Sequence, residues 1–257
     1  MQYKDFSNKV ALITGGTSGM GYATAKLFIM NGAKVVIAGR REKEGKEAEE
    51  ELRNISSDVH FIQADVSRDD EVIRLISETV QKFGKLNIAF NNAGIEGAWK
   101  IVDETTEDEY NAVMNVNFKG TWLSCKHEIL QFKKQNDGGV IINTSSWLSK
   151  GIFPGSGLYS ASKAALDSLT RSIAVENSKF NIRVNNINPG YIDTPLSDRT
   201  TTAELREQMN KHVPMGRMGK SEEIAELVLW LAGTGSSYVT GENILIDGGL
   251  SIPGQRL

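Results

Sequence analysis

The sequence predicts an α/β protein built on a doubly wound parallel sheet. Three observations carry that prediction. Short apolar runs alternate with longer amphipathic segments along the whole chain. The apolar runs are continuous in Val, Ile, Leu and Ala rather than alternating with polar residues, as suits strands buried on both faces. Glycines cluster where the first run gives way to the first helical segment, in "ITGGTSGMGYATAKLF" (13–28).

In order, "VALIT" (10–14) reads as the first strand and a helix follows near 20–31. "KVVIAG" (34–39) is the second strand, and "EKEGKEAEEELRN" (42–54) a charged helix. "VHFIQA" (59–64) is the third strand, and "DDEVIRLISETVQKFG" (69–84) has apolar residues at helical spacing. "LNIAFNNAG" (86–94) is the fourth strand with its exit, followed by one long helix through 107–135. "GGVIINTSS" (138–146) is the fifth strand, then a helix at 157–178, and "IRVNNINPG" (182–190) the sixth. A helix at 221–232 precedes the last strand, "NILID" (243–247). Strand–helix alternation of this kind folds into right-handed crossovers on a parallel sheet. No linker, low-complexity tract or repeat divides the chain, so residues 1–257 are expected to form a single domain.

Bulk properties exclude several functions. The net charge of −3 gives no basic field for nucleic acid or for an anionic membrane surface. No apolar run reaches membrane-spanning length, and "MQYKDFSNKV" lacks the apolar core of a signal peptide. The single cysteine, Cys125, suits a reducing compartment. The expectation is a cytoplasmic protein, so the sequon-like triplets at Asn54 and Asn143 read as chance matches. His60, His127 and His212 are scattered without ligand spacing, so no metal site is expected. There is no G-x-S-x-G nucleophile elbow and no G-x-x-x-x-G-K-[ST] phosphate loop.

The glycine cluster falls at the carboxyl edge of the first strand, where sheets of this class bind ligands. Gly15 permits a tight turn, while Gly19 and Gly21 permit close approach of a diphosphate and of the helix to the sheet. The helix N-terminus then offers unpaired N–H groups to phosphate. The spacing T-G-x-x-x-G-x-G differs from the common dinucleotide fingerprint, and alone it is equally a tight turn with no ligand.

Four motifs occur in order: "TGGTSGMG" (14–21), "NNAG" (91–94), a serine thirteen residues before "YSASK" (159–163), and "NPG" (188–190). Together they resemble the short-chain dehydrogenase/reductase family in its single-domain form, from about residue 7 to "DGG" (247–249). The resemblance implies a Rossmann-type sheet of seven parallel strands in a three-layer α/β/α sandwich, a nicotinamide cofactor, and carbonyl/alcohol redox chemistry.

The chemistry follows partly from residue types. Tyr159 and Lys163 are i and i+4 on a helix and share one face. A phenol is a poor base at neutral pH, and a nearby ammonium is expected to lower its pKa. Tyr159 would then give a proton to a carbonyl oxygen, or take one in the reverse oxidation. Ser146, just past the fifth strand, can hydrogen-bond the same oxygen, and the resemblance selects it over Ser145. Lys163 also resembles the family lysine that holds the nicotinamide ribose. Asn117 resembles the family asparagine of a water-linked proton path. The bland reading of an isolated Tyr-x-x-x-Lys pair is a solvated helix face.

For the cofactor, the resemblance assigns Gly15, Thr17, Ser18, Gly19, Met20 and Gly21 to the diphosphate loop. Asp65 and Val66 would flank the adenine, with Asn92, Ala93 and Gly94 at the fourth strand's exit beside Asn91. Asp65 equally suits a helix cap. Pro189, Gly190, Ile192 and Thr194 would close the nicotinamide site. At the end of the second strand, "VVIAGRRE" has Gly39 where an acidic residue would bind a ribose diol, followed by Arg40 and Arg41. A guanidinium grips phosphate bidentately, so NADP(H) is expected over NAD(H). The plain reading is that both arginines begin a solvated helix.

Residues 191–218, with Leu196, Met209, Met215 and Met218, are expected to form a substrate loop that closes over the site. Glu96, Trp99, Trp147, Leu148, Phe153 and Tyr191 are candidates for the pocket, with Trp147, Phe153 and Tyr191 placed at the substrate. They suggest an apolar pocket for a small-molecule ketone or alcohol with an aromatic, alicyclic or acyl part. The chain resembles 3-oxoacyl-carrier-protein reductases and sugar or polyol dehydrogenases about equally. An NAD-dependent alcohol dehydrogenase and a redox sensor without turnover are the alternatives. The resemblance also implies a homotetramer. The apolar residues of helices 107–135 and 157–178 support one interface, and "GLSIPGQRL" (249–257) with "VLWLAG" near Trp230 a second.

Overall fold

The computed structural model describes residues 6–195, 197 and 201–252. The elements run β1 (Val10–Thr14), α1 (Gly19–Met30), β2 (Lys34–Gly39), α2 (Glu42–Arg53), β3 (Val59–Gln63) and α3 (Asp69–Phe83). Then come β4 (Ile88–Asn91), α4 (Glu107–Met114), α5 (Thr121–Gln135), β5 (Gly139–Thr144), α6 (Gly157–Asn177) and β6 (Ile182–Pro189). The last are β7 (Ile192–Asp193), α7 (Ala203–His212), β8 (Gly219–Lys220), α8 (Ser221–Ala232) and β9 (Asn243–Ile246).

Seven strands form one sheet in the order β3-β2-β1-β4-β5-β6-β9. Every pairing in it is parallel, as the continuous apolar runs predict. Adjacent side chains of one strand serve opposite faces. Ala11 and Ile13 join Phe28 of α1 and Val228 of α8 on one face. Leu12 joins Leu75 of α3, Leu123 of α5 and Ile173 on the other. These two buried layers make the three-layer sandwich. The strand order reverses between β1 and β4, which opens a crevice at their carboxyl ends.

The helix expected over 107–135 is helical throughout but not uniform. A Thr106–Glu109 capping box starts it, and a π-helical segment, Asn115–Gly120, separates α4 from α5. A π turn inserts one residue and so turns a new side chain inward. Here that residue is Asn117, which is fully buried. Gly120 lets the segment close on the neighbouring chain, because a Cβ there would lie 2.8 Å from Val66 Cγ2.

The segment expected as a loop over 191–218 contains α7 and is tied at its ends by a two-stranded ribbon. In that ribbon Ile192 pairs with Gly219 and Asp193 with Lys220. Met218 is buried, Met209 half-buried and Met215 exposed, while Leu196 lies outside the described residues.

Candidate active site

The crevice is lined first by the β1–α1 turn. Gly15 has φ +63°, and a Cβ there would lie 3.0 Å from the Ala93 backbone. A Cβ at Gly21 would lie 2.2 Å from the Gly15 carbonyl oxygen, so no side chain fits. Gly19, at φ +53°, faces the Thr194 side chain across the crevice. Ser18 is extended and its hydroxyl makes no capping bond, which leaves the α1 N-terminus without a side-chain cap. Such a turn has the shape and polarity to take a diphosphate. Met20 packs against the core, so its side chain is spent on the fold.

Hydrogen bonds sew three strand ends together behind this turn. Thr14 Oγ1 accepts from the backbone N–H groups of Asn92 and Ala93, at 3.1 and 3.2 Å. Asn92 donates to the Gly15 carbonyl at 3.2 Å and accepts from Thr144 Oγ1 at 3.2 Å. Asn91, expected at this exit, instead turns its side chain inward to Glu128 and Asn143.

At the β2 end, Gly39 sits against Thr17, where a Cβ would come within 3.2 Å of Thr17 Cγ2. Arg40 is exposed, and among the described residues its guanidinium has no ion-pair partner. Arg41 is paired with Glu44 at 3.1 Å. Asp65 Oδ1 accepts from Ser67 N–H and Oγ–H, so this carboxylate organises its own turn. Val66 is buried against Gly120. Pro189 ends β6 beside Ile246, and a Cβ at Gly190 would lie 2.7 Å from Asp247 Cα. Ile192, in the ribbon, is buried, and Thr194 exchanges hydrogen bonds with Ser197.

Tyr159, Lys163 and Ser146 converge beside this groove. Tyr159 and Lys163 lie one turn apart on α6, with Lys163 Nζ 5.6 Å from the Tyr159 ring centroid. Ser146 lies close enough to the Tyr159 hydroxyl to oppose the effect of burial on it. Its Oγ accepts from the Leu148 N–H at 3.1 Å, which leaves its own proton for another acceptor. Lys163 Nζ donates to the Thr144 carbonyl at 2.7 Å and lies beside Gly94. Burial draws the lysine down to about 8, opposed by the Asp167 charge. The expected lowering of Tyr159 is corrected by the structure: burial pushes the phenol up to about 12, the Ser146 bond acts the other way, and Glu96 adds to the rise. The ammonium is engaged on Thr144, and burial of the ring prevails.

Asn117 does a different visible task from a relay. Its Oδ1 accepts from Ile95 N–H at 2.8 Å, and its Nδ2 donates to the Ile95 carbonyl at 2.8 Å and to Ser162 Oγ at 3.2 Å. The π segment thereby pins the β4 exit to α6. Above Tyr159 stands an aromatic wall. Trp99 lies 5.7 Å from the Tyr159 ring and 5.2 Å from Phe153, and Trp147 lies 5.6 Å from Tyr191. Glu96 is half-buried, and burial pushes its carboxyl up while a bond from Trp99 opposes the rise.

Sequence reasoning missed Asp167 and Asn188. Asp167 is buried and accepts from Ser145 and Ser149 at 2.6 Å each. Its only signal is the spacing Tyr159, Lys163, Asp167, which continues one stripe of α6. Among the described residues no group of His, Cys, Asp and Glu is placed to hold a metal ion, and no helix is long and apolar enough to cross a membrane.

A family model described as enoyl-(acyl carrier protein) reductase matches residues 15–251. A Thermotoga maritima protein named as an uncharacterized oxidoreductase is 41% identical over 250 residues, covering 95% of this chain and 98% of that one. The 3-oxoacyl-(acyl-carrier-protein) reductase FabG of the same organism is 40% identical over 247 residues, with coverage of 95% and 98%. The crystal structure of a short-chain type dehydrogenase/reductase from Mycobacterium marinum superposes with a TM-score of 0.92 at 33% identity, covering 97% and 98%.

Proposed function

The chain belongs to the short-chain dehydrogenase/reductase family of oxidoreductases, and on that premise we propose that it is an NADPH-dependent reductase of ketones to secondary alcohols. The observation that carries the reading is the meeting of two hydroxyls, Ser146 and Tyr159, beside a glycine cradle fit for a dinucleotide. Two neighbouring hydroxyls suit an oxygen that gains negative charge and then a proton.

In this reading Ser146 polarises the carbonyl, with its oxygen already held by Leu148 N–H. Tyr159 delivers the proton; at about 12 it is a phenol at neutral pH and holds the proton to be given. The nicotinamide, when bound, supplies the hydride. Lys163 holds the ribose, with its ammonium anchored on the Thr144 carbonyl. Asn117 holds the β4 exit against Lys163 and Ser162. Thr17, Ser18, Gly19 and Met20 carry the diphosphate on their backbone, with Gly15 and Gly21 making room. Asp65 and Val66 border the adenine, and Pro189, Gly190, Ile192 and Thr194 the nicotinamide.

Arg40 supports NADPH over NADH. It stands where the β2 end has no carboxylate, and its guanidinium has no ion-pair partner among the described residues. Trp147, Phe153 and Tyr191, with Trp99, favour a ketone bearing a flat apolar group. A free buried cysteine agrees with a cytoplasmic setting.

The reading includes a homotetramer. Tyr110, Trp122 and Leu130 are exposed on α4 and α5, as are Trp230, Leu245 and Ile252 toward the β9 edge. Val113, Leu123 and Phe132 from the same helical stretch are spent on the core, and residues 253–257 of the expected second contact lie outside the described residues.

The test is a panel of aromatic, alicyclic and 3-oxoacyl ketones assayed with NADPH and NADH in parallel. Oxidation of NADPH by one ketone class supports the reading. Cofactor binding with no turnover across the panel overturns it.

A further inference from the structure

We propose that Asp167 is a positioning residue: its single buried carboxylate fixes the chain on both sides of Ser146 and so aims the Ser146 hydroxyl at the substrate oxygen. The proposal rests on the carbonyl-reductase reading for what Ser146 does, and on the geometry below for how it is held.

Asp167 lies on α6 two turns beyond Tyr159, and it is 6% exposed. Oδ1 accepts from Ser145 Oγ at 2.6 Å and from Asn186 Nδ2 at 3.2 Å. Oδ2 accepts from Ser149 Oγ at 2.6 Å. Asn188 Nδ2 reaches both carboxylate oxygens, at 3.3 and 3.2 Å. The same amide donates to the Ser146 carbonyl at 3.0 Å and to Ser149 Oγ at 2.9 Å. One side chain therefore grips the residue before Ser146, a residue three positions after it, and the amide that holds Ser146's own carbonyl.

A carboxylate withdrawn from water costs free energy unless its lone pairs are met by donors. Here they are met by hydroxyl and amide groups, and the two contacts from serine are as short as charge-assisted bonds are. Replacing the charge by an apolar group would remove the acceptor that four polar side chains on β6 and the loop after β5 share. The Ser146 hydroxyl does not touch Asp167. Its oxygen is held by Leu148 N–H on the side of Tyr159, which leaves its proton free to donate. A displacement of about 1 Å at a reacting group is worth roughly 100-fold in rate, so a rigid mount for this loop has kinetic consequence.

The closing experiment compares wild type, Asp167→Ala, Asp167→Asn, Ser146→Ala and the Ser146→Ala/Asp167→Ala double variant. The readouts are kcat and KM on an accepted ketone, NADPH affinity by fluorescence titration, and crystal structures of wild type and Asp167→Ala. Expected is a fall in kcat of about 10- to 100-fold in Asp167→Ala, with NADPH affinity kept within about 2-fold. On the Ser146→Ala background the same change should cost less than about 3-fold, because the group it positions is already gone. A wild-type kcat in Asp167→Ala, or an equal loss on both backgrounds, overturns the proposal. If Asp167→Ala does not fold, Asp167→Asn carries the same comparison. If wild type reduces no ketone, the functional reading fails, and the crystal structures decide the proposal alone: Ser146 Oγ displaced supports it, Ser146 Oγ unmoved refutes it.

Discussion

Glu128 offers a sharp test of the buried architecture. It lies on α5 at 1% exposure, and its Oε2 accepts from Asn91 Nδ2 at 3.0 Å. Its Oε1 and the Asn91 Oδ1 are both buried without a partner, and no ion pair to Glu128 is present among the described residues. Burial pushes the carboxyl from 4.5 up to about 8, with the Asn91 bond opposing the rise. Between those values the folded protein holds a proton that the unfolded chain releases. Stability therefore falls as pH rises through that window and is unaffected by this group below it. At about 1.4 kcal/mol per pH unit, the interval from 4.5 to about 8 sets an upper bound of roughly 5 kcal/mol; water penetration and relaxation reduce it to a few. Glu128→Gln removes the titration, keeps the shape, and brings an amide donor toward Asn91 Oδ1. The assay is thermal unfolding of both proteins from about pH 5 to about pH 9. The variant should melt several degrees above wild type near pH 8.5, at about 2–4 °C per kcal/mol for a chain of this size, and the gap should close toward pH 5. A constant gap across the range, or a variant that is less stable at pH 8.5, would refute the reasoning.

Three further outcomes follow from the geometry. Gly21→Ala places a methyl 2.2 Å from the Gly15 carbonyl and should weaken NADPH binding by at least about 100-fold in a fluorescence titration, whereas an unchanged Kd would contradict the glycine cradle. Arg40→Ala should cost NADPH about 10- to 100-fold in kcat/KM and leave NADH nearly untouched; an equal loss with both would remove Arg40 from the 2′-phosphate site. Light scattering at micromolar concentration should give four times the 28.2 kDa chain mass, and a monomer with full activity would refute the assembly.

Much of this molecule is legible in its sequence because the physics is local. "VALIT" and "KVVIAG" are apolar throughout because both faces of a parallel sheet are covered, and each strand falls where the run falls. Gly15 and Gly21 mark their turn because no other residue fits it. Tyr159 and Lys163 are four apart, so their shared face needs only the helix. What is illegible depends on distance along the chain. The π turn at Asn117 shifts the helical period by a single residue, too little to read from the sequence, and shows only when Ile95 receives its side chain. Strands as short as Ile192–Asp193 and Gly219–Lys220 have no periodicity to read. Asp167 looks like any helix charge until β5 and β6 bring Ser145 and Asn188 to it. The rise in the Tyr159 pKa is equally non-local, since spacing shows the lysine but not the burial.

The central claim is that Tyr159 transfers the proton in ketone reduction. The direct measurement is the rate of NADPH oxidation with an accepted ketone in wild type and Tyr159→Phe, alongside NADPH affinity of both by fluorescence titration. The account predicts a loss of at least about 100-fold in kcat with affinity retained, since only the hydroxyl is removed. A near-normal rate in Tyr159→Phe would contradict it.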